Sequence, residues 1–271
     1  MQNIQKLAII GAGNIGSSIA DGLLDSGIFE PAQLFLTRRK IQRLDRFKKL
    51  GIHTSSDNLE AVGFAEIIII AVEPQQIDEL LHEIGPALKP GQHTLISVVT
   101  GVSIQQILHS VNQDIAVVRA MPNTAISLRE SITCLASNTA GKALELGKSI
   151  FDTVGKTVVI DEELMGAATA LGACGIAFFL RAIRAASQGG IEIGFHANQA
   201  LLIAAQVAKG AAQLILDKNQ HPESEIDKVT TPRGVTIAGL NQMEHEGFSS
   251  AMIKGIVTSA NKAQGVYKTV D

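Results

Sequence analysis

Leu7-Ala8-Ile9-Ile10-Gly11-Ala12-Gly13-Asn14-Ile15-Gly16 is the most telling run of this chain. Four apolar residues read as a buried strand. The glycines follow at once, and helical spacing resumes over Ile15–Ser26. A GxGxxG between a strand and a helix is the mark of a dinucleotide-binding turn. Gly11 allows the tight turn, Gly13 lets the backbone approach a pyrophosphate, and Gly16 lets the helix pack on the strand. With Ala12, Asn14 and Ile15 they bring a helix N-terminus, with its free N–H groups and positive dipole end, to the phosphates.

The alternation continues through the first 160 residues. Leu7–Ile10, Leu34–Leu36, Ile67–Val72, Thr94–Val98, Ile115–Arg119, Ile132–Leu135 and Thr157–Ile160 are the expected strands. Ile67–Val72 reads IIIIAV without a polar interruption, which suits a central parallel strand covered on both faces. Helical spacing lies between them, for example at Ile41–Leu50 and Gln75–Ile84. Alternating β and α segments predict a doubly wound α/β fold with a parallel sheet and right-handed crossovers. After Asp161 the strand-like runs end. Ala-rich helical stretches replace them: Glu162–Cys174, Gly175–Gly194, Ala197–Leu216, Glu223–Val229, Val235–Glu244 and Ser249–Tyr267. The expected organisation is a Rossmann-type NADP-binding domain, residues 1–161, and an all-helical dimerisation and substrate-binding domain, residues 162–271.

Composition narrows the function. The 271 residues carry a net charge of −3, spread evenly, so the excess of positive charge typical of nucleic-acid binding is missing. With no Trp and one Tyr there is little to stack bases on. A chain of this length buries about 70% of its unfolded surface and needs no staples. Its two cysteines, Cys134 and Cys174, fit a reducing compartment and neither a disulfide framework nor a zinc site. No signal peptide is legible, and a cytoplasmic location is expected. The longest run without Asp, Glu, Lys, Arg or His, Leu164–Leu180, falls short of the ~20 residues of a membrane helix and reads as buried protein. The histidines show no triad-like grouping, and no metal-ligand spacing occurs.

The second strand ends on Thr37-Arg38-Arg39-Lys40. An NAD site wants an acid there, about 20 residues past the glycines, for the ribose 2′-OH. Two guanidiniums and a hydroxyl suit a 2′-phosphate, so NADP(H) is expected over NAD(H). Ala71-Val72-Glu73-Pro74 and Val98-Val99-Thr100 close the next strands at the carboxyl edge, where open α/β sheets bind ligands. Asn123, in Met121-Pro122-Asn123-Thr124, reads equally as a cofactor contact or a structural turn.

Taken together these motifs resemble the pyrroline-5-carboxylate reductase family along nearly the whole chain. AVEPQ at Ala71–Gln75 resembles the family's AVKPQ, RAMPNT at Arg119–Thr124 is its R-x-MPNT, and IDEELMGAATAL at Ile160–Leu171 resembles the start of its helical domain. HPESEIDKVTTPRGVTIAGL at His221–Leu240 resembles its HP…VTSPGGTTIAGL loop. The resemblance implies reduction of the C=N bond of a five-membered cyclic imine to L-proline with NAD(P)H. It matches Thr236 to the Thr beside the imine nitrogen, and Thr231, Gly234 and Val235 to the turn that binds the substrate carboxylate. Glu162 and Lys228 match positions near proline and the cofactor, and Asn58 matches a cofactor-contacting loop. Capping alone would also explain the threonines.

The chain departs from the family pattern at four places. Gly172–Phe178 replaces SGSGPAY, Glu73 replaces a Lys, Arg233 replaces a Gly, and Ala125 replaces a Pro. Two other readings therefore stand beside the first: a reductase of a related cyclic imine of the piperideine carboxylate type, and an NADP-binding protein without turnover. Small residues from Gly166 to Gly175 would let helices approach closely, and the helical domain has more apolar faces than one small bundle hides. An obligate homodimer is expected, with the Leu164–Leu180 run turning at Gly172–Gly175. The resemblance implies the same dimer, which some family members assemble into rings of five.

Overall fold

The computed structural model describes residues 5–218 and 220–266, so the expected helix end at Tyr267 lies outside the described residues. The chain divides into two compact units. One holds the described residues up to Ala173 together with those from Ala260 onward, and the other is Cys174–Ser259.

The first unit is built on a single eight-stranded sheet. In chain order its strands are β1 Leu7–Ile10, β2 Leu34–Thr37, β3 His53–Ser55, β4 Ile67–Ile70, β5 Thr94–Ser97, β6 Ala116–Met121, β7 Ser131–Ser137 and β8 Gly155–Val159. Their order across the sheet is β3-β2-β1-β4-β5-β6-β7-β8. The order reverses between β1 and β4, the switch point at which such sheets bind ligands. Helices α1 Asn14–Ser26, α2 Asp45–Lys49, α3 Asn58–Phe64, α4 Ile77–Ile84, α5 Ile104–Val111 and α6 Lys142–Phe151 connect the strands.

Strand periodicity explains the two cores. Leu7, Ile9, Leu36, Ile67 and Ile69 point into one apolar cluster, and Ala8, Ile10, Phe35, Ile68 and Ile70 into the other. Successive side chains face opposite sides of a sheet. An uninterrupted IIII is therefore what a strand with a core on each face requires, and all four isoleucines of β4 are buried.

Two features differ from the expected sheet. β3 is an added edge strand; its three residues, His-Thr-Ser, carry no apolar run. β6 and β7 pair antiparallel, whereas every other neighbouring pair is parallel. Only residues 122–130 join them, fewer than the dozen or more a parallel crossover needs. Ala71, Val72 and Val98, expected as strand residues, lie beyond the ends of β4 and β5 in the loops of the carboxyl edge.

Helix α7, Met165–Ala168, leads into a π-helical segment, Thr169–Cys174, and α8 begins at Gly175. The turn expected at Gly172–Gly175 is thus a widened helical turn. Asn123 Nδ2 donates to Gly172 O at 3.1 Å. A carbonyl engaged by a side chain from outside is one way an α-ladder is interrupted.

The second unit contains α8 Gly175–Glu192, α9 Ala197–Lys218, α10 Pro222–Val229, α11 Val235–His245 and the first part of α12, Phe248–Val266. Small residues mediate the α8–α9 packing: a Cβ on Gly190 would lie 3.0 Å from Ala200 Cβ, and Ser187, Ala200 and Ala204 are buried. Large apolar side chains on the same helices face outward, including Phe179, Leu180, Leu202 (70% exposed) and Val207 (65%). Two helical runs, Glu162–Glu192 and Ala197–Lys218, are long and apolar enough to cross a membrane. Both fall in the region whose outward apolar faces any account of this chain must cover.

Candidate active site

The glycine loop leaves β1 at the switch point. Gly11 adopts φ +88°, and a Cβ there would lie 2.7 Å from Val72 Cγ1 and 2.8 Å from Ala71 O. Its N–H and that of Ala12 donate to Thr37 O, at 3.2 and 2.9 Å, tying the loop to the end of β2. A Cβ on Gly16 would lie 2.9 Å from Gly11 O and 3.0 Å from Ile9 Cγ2, so α1 can approach β1 only through glycine. Gly13 is different: its added Cβ would meet nothing closer than Gly11 O, at 3.9 Å. Gly13 is also the N-cap of α1 and offers no side-chain cap. The first-turn N–H groups at Asn14 and Ile15 therefore face open space, as a pyrophosphate requires. These residues fit a dinucleotide.

The polar residues after β2 divide into two sets. Thr37 is buried, and its hydroxyl donates to Asn58 Oδ1 at 2.8 Å; Asn58 Nδ2 in turn donates to Glu83 Oε2 at 3.1 Å. Both serve this support network. Arg38 is half-buried, with Nη1 donating to Ala12 O at 2.9 Å, so its guanidinium lies against the glycine loop. Beside it opens a groove of about 690 Å³, lined among others by Gly13, Asn14, Ser17, Arg38, Arg43 and Arg46. Arg39 is exposed and is not part of its lining. Arg43 and Arg46 were missed as site residues; the signal was the concentration of seven cations between Arg38 and Lys49.

The loops after β4 and β5 continue the carboxyl edge. Ala71 N donates to Ile10 O at 2.8 Å and Val98 N to Ile70 O at 3.0 Å. Val98 and Val99 are buried, Val72 and Thr100 half-buried, and Glu73 and Pro74 exposed. Arg119, 2% exposed, pairs with Glu162, Nη1 to Oε1, at 3.0 Å. The same oxygen accepts the N–H of Ile104, the first residue of α5, at 2.7 Å. This network was not foreseen, because its members are distant in sequence. Asn123 is engaged structurally: besides Gly172 O, it accepts from Ala125 N at 3.0 Å and its N–H donates to Ser131 Oγ at 3.1 Å. Cys134, on β7, has its thiol pushed up by burial.

The second unit carries the remaining candidates. Lys228 Nζ donates to Glu225 Oε1 at 2.6 Å and to Gln220 Oε1 at 2.8 Å, and the Lys228 ammonium holds the Glu225 carboxyl below its usual range. Thr231 O accepts from Gly234 N at 2.9 Å, and a Cβ on Gly234 would lie 2.5 Å from Thr231 Oγ1. Arg233 occupies the left-handed region at φ +60°, where the family motif has glycine. Gly234 is the N-cap of α11 and supplies no side-chain cap. Val235 and Thr236 thus begin an uncapped helix whose first-turn N–H groups can take a carboxylate.

A family model described as NADP oxidoreductase, coenzyme F420-dependent, matches residues 6–101, and one described as pyrroline-5-carboxylate reductase dimerisation matches residues 162–266. Pyrroline-5-carboxylate reductase 2 of Dictyostelium discoideum is 48% identical over 97% of this chain and 93% of its own length. The chain belongs to the pyrroline-5-carboxylate reductase family. Pyrroline-5-carboxylate reductase 1 of the same organism is 52% identical over 96% of the chain, which spans half of that relative's length. The Plasmodium falciparum family structure, solved with NADP bound, is 25% identical, with a TM-score of 0.86 over 99% of this chain and 100% of that one. The glycine loop lies within the residues matched to the NADP oxidoreductase model, and the outward apolar faces of α8 and α9 lie in the family's dimerisation region.

Proposed function

We propose that this protein reduces 1-pyrroline-5-carboxylate to L-proline with NADPH, the last step of proline biosynthesis, as a homodimer in the cytoplasm. The observation that carries the reading is one chain's combination of an uncapped glycine loop at a Rossmann switch point with the TTPRGVT turn opening α11 inside a family-specific helical region. The domain boundary is placed after Asp161, supported by a dimerisation match that begins at residue 162.

Gly11, Ala12, Gly13, Asn14, Ile15 and Gly16 would hold the dinucleotide phosphates. Arg38 would hold the glycine loop beside the adenosine end, in a basic segment, with Arg39, that favours NADPH over NADH. Thr37 and Asn58 would shape the adenosine end through their mutual hydrogen bond. Ala71, Val72, Glu73, Pro74, Val98, Val99 and Thr100 would line the nicotinamide side and exclude water from it. Asn123 would hold the neighbouring turn in place, and Lys228 would lie near the cofactor. The chemistry the reduced nicotinamide supplies when bound is a hydride for the imine carbon.

The chain's own residues do the rest. The turn of Thr231 and Gly234, closed by the Gly234 N–H on Thr231 O, presents the uncapped first-turn N–H groups of α11, from Val235 onward, which donate to the substrate carboxylate. The Thr236 hydroxyl hydrogen-bonds the ring nitrogen and holds its proton in place. Glu162 would stand near the substrate while fixing Arg119. Orientation of two rings by rigid elements supplies much of the rate. Incubation with NADPH and 1-pyrroline-5-carboxylate, followed by chiral chromatography, should yield L-proline; absence of proline while NADPH is bound would overturn the reading. The Gly172–Phe178 departure supports one further reading, a six-membered cyclic imine as substrate.

A further inference from the structure

The groove beside the glycine loop contains three guanidiniums in three different states. Arg38 is committed to the loop: its Nη1 donates to Ala12 O at 2.9 Å. Arg46 is paired, with Nη2 2.7 Å from Asp21 Oδ2 and its guanidinium 4.1 Å from the centre of the Phe47 ring. Arg43, in the last turn of the short 3₁₀ segment Ile41–Leu44, is exposed and lines the same groove. Among the described residues its side chain has no ion-pair or hydrogen-bond partner. The acid nearest in sequence, Asp45, is not part of the groove's lining, and Asp21, which is, already holds Arg46.

We infer that Arg43 is the residue that reads the cofactor's 2′-phosphate and so sets the preference for NADPH over NADH. This rests on the dinucleotide reading of the loop and refines it: the discriminating charge is Arg43, Arg38 anchors the loop, and Arg39 stands outside the groove. A dianionic phosphate gains most from a guanidinium that can turn both of its N–H edges toward it without breaking another bond. Arg38 would have to share its donors with Ala12 O, and Arg46 would have to leave a carboxylate. Arg43 gives up only water. NADH has no group at that place, so it neither gains from Arg43 nor loses when Arg43 is removed.

The test is a pair of dissociation constants, for NADPH and NADH, measured by nicotinamide fluorescence on the full-length protein without substrate. Wild type should bind NADPH more tightly. Arg43→Ala should weaken NADPH about ten- to a hundredfold, the range for a charge-assisted hydrogen-bonded contact, and leave NADH unchanged. Lys48→Ala removes an equal charge from the same segment outside the groove and should change neither ratio nor affinity by more than about twofold. Three results would count against the proposal, each differently. Equal NADPH and NADH affinities in wild type would overturn the NADPH preference itself. A wild-type preference that survives Arg43→Ala would overturn only the assignment to Arg43. Equal losses in Arg43→Ala and Lys48→Ala would mean that the overall field of the segment, not a local contact, selects the cofactor.

Discussion

Arg119 and Glu162 join strand β6 of the sheet to the residue at which the family's dimerisation match begins, through a 3.0 Å contact. The Glu162 oxygen also takes the first N–H of α5, 2.7 Å away, so one carboxylate holds a nearly buried guanidinium and a helix start at once. The pair is a positioning device for the loop between β5 and α5, which contains Val98, Val99 and Thr100.

Glu162→Gln should therefore destabilise the fold. Removing one partner of a buried pair costs about 3–5 kcal/mol, and the one-third exposure of Glu162 reduces that to about 2 kcal/mol. Urea denaturation monitored by circular dichroism measures it. A change within about 0.5 kcal/mol of zero, the scatter of neutral surface substitutions, would show that the pair is incidental.

The glycines make a paired prediction. Gly11→Ala places a Cβ against Val72 and the Ala71 carbonyl, at a positive φ, and should cost several kcal/mol of stability together with cofactor binding. Gly13→Ala meets only Gly11 O at 3.9 Å, so its melting temperature should stay at the wild-type value while NADPH affinity falls at least about tenfold. If Gly13→Ala bound NADPH normally, the phosphates would not approach the loop at that point.

His93 gives the fold a pH dependence. The ring is buried, and its Nδ1 accepts the Lys89 N–H at 2.9 Å, which requires that nitrogen to be unprotonated. Burial, helped by Lys89 and opposed by Glu66, holds its pKa below the ordinary value. The folded state thus resists protonation more than the unfolded state does. Its contribution is complete above the unfolded value of about 6.5 and is lost as the pH falls through and below it. Thermal melts should show stability dropping from pH 7.5 to 5.5, and His93→Gln should flatten that slope. An unchanged slope in the variant would assign the effect elsewhere.

Much of the nucleotide-binding unit was legible in the sequence, because strands covered on both faces and a glycine turn write themselves as local patterns. Ile67–Ile70 needed no partner to be recognised. The antiparallel β6–β7 pair was not legible, because the expected strands Ile115–Arg119 and Ile132–Leu135 leave twelve residues between them, enough for a parallel crossover. Arg119–Glu162 and the Thr37–Asn58 hydrogen bond were not legible, since 43 and 21 residues separate the partners and only folding brings them together. The three states of Arg38, Arg43 and Arg46 were likewise hidden in what reads as one basic run. The π-helical turn at Thr169–Cys174 escaped because Gly172 and the following Gly175 also spell a loop.

The apolar faces of α8 and α9 supply a prediction about assembly. Leu202→Glu and Val207→Glu put charges on side chains 70% and 65% exposed in the single chain. In a homodimer that buries them, the double variant should sediment at half the wild-type mass and lose activity. A wild-type protein that is monomeric at micromolar concentration would remove the dimer from the account.

Thr236→Ala tests the mechanism. Turnover should fall about a hundredfold, the lower range for a group assisting proton placement, with NADPH affinity unchanged. An unaffected rate would take the hydroxyl out of the reaction.

The most direct measurement is the initial rate of NADPH oxidation with 1-pyrroline-5-carboxylate, set beside the rate with its six-membered homologue. The account predicts turnover of the five-membered ring with the higher kcat/KM and one proline formed per NADPH consumed. Preference for the larger ring, or turnover of neither while NADPH remains bound, would contradict it.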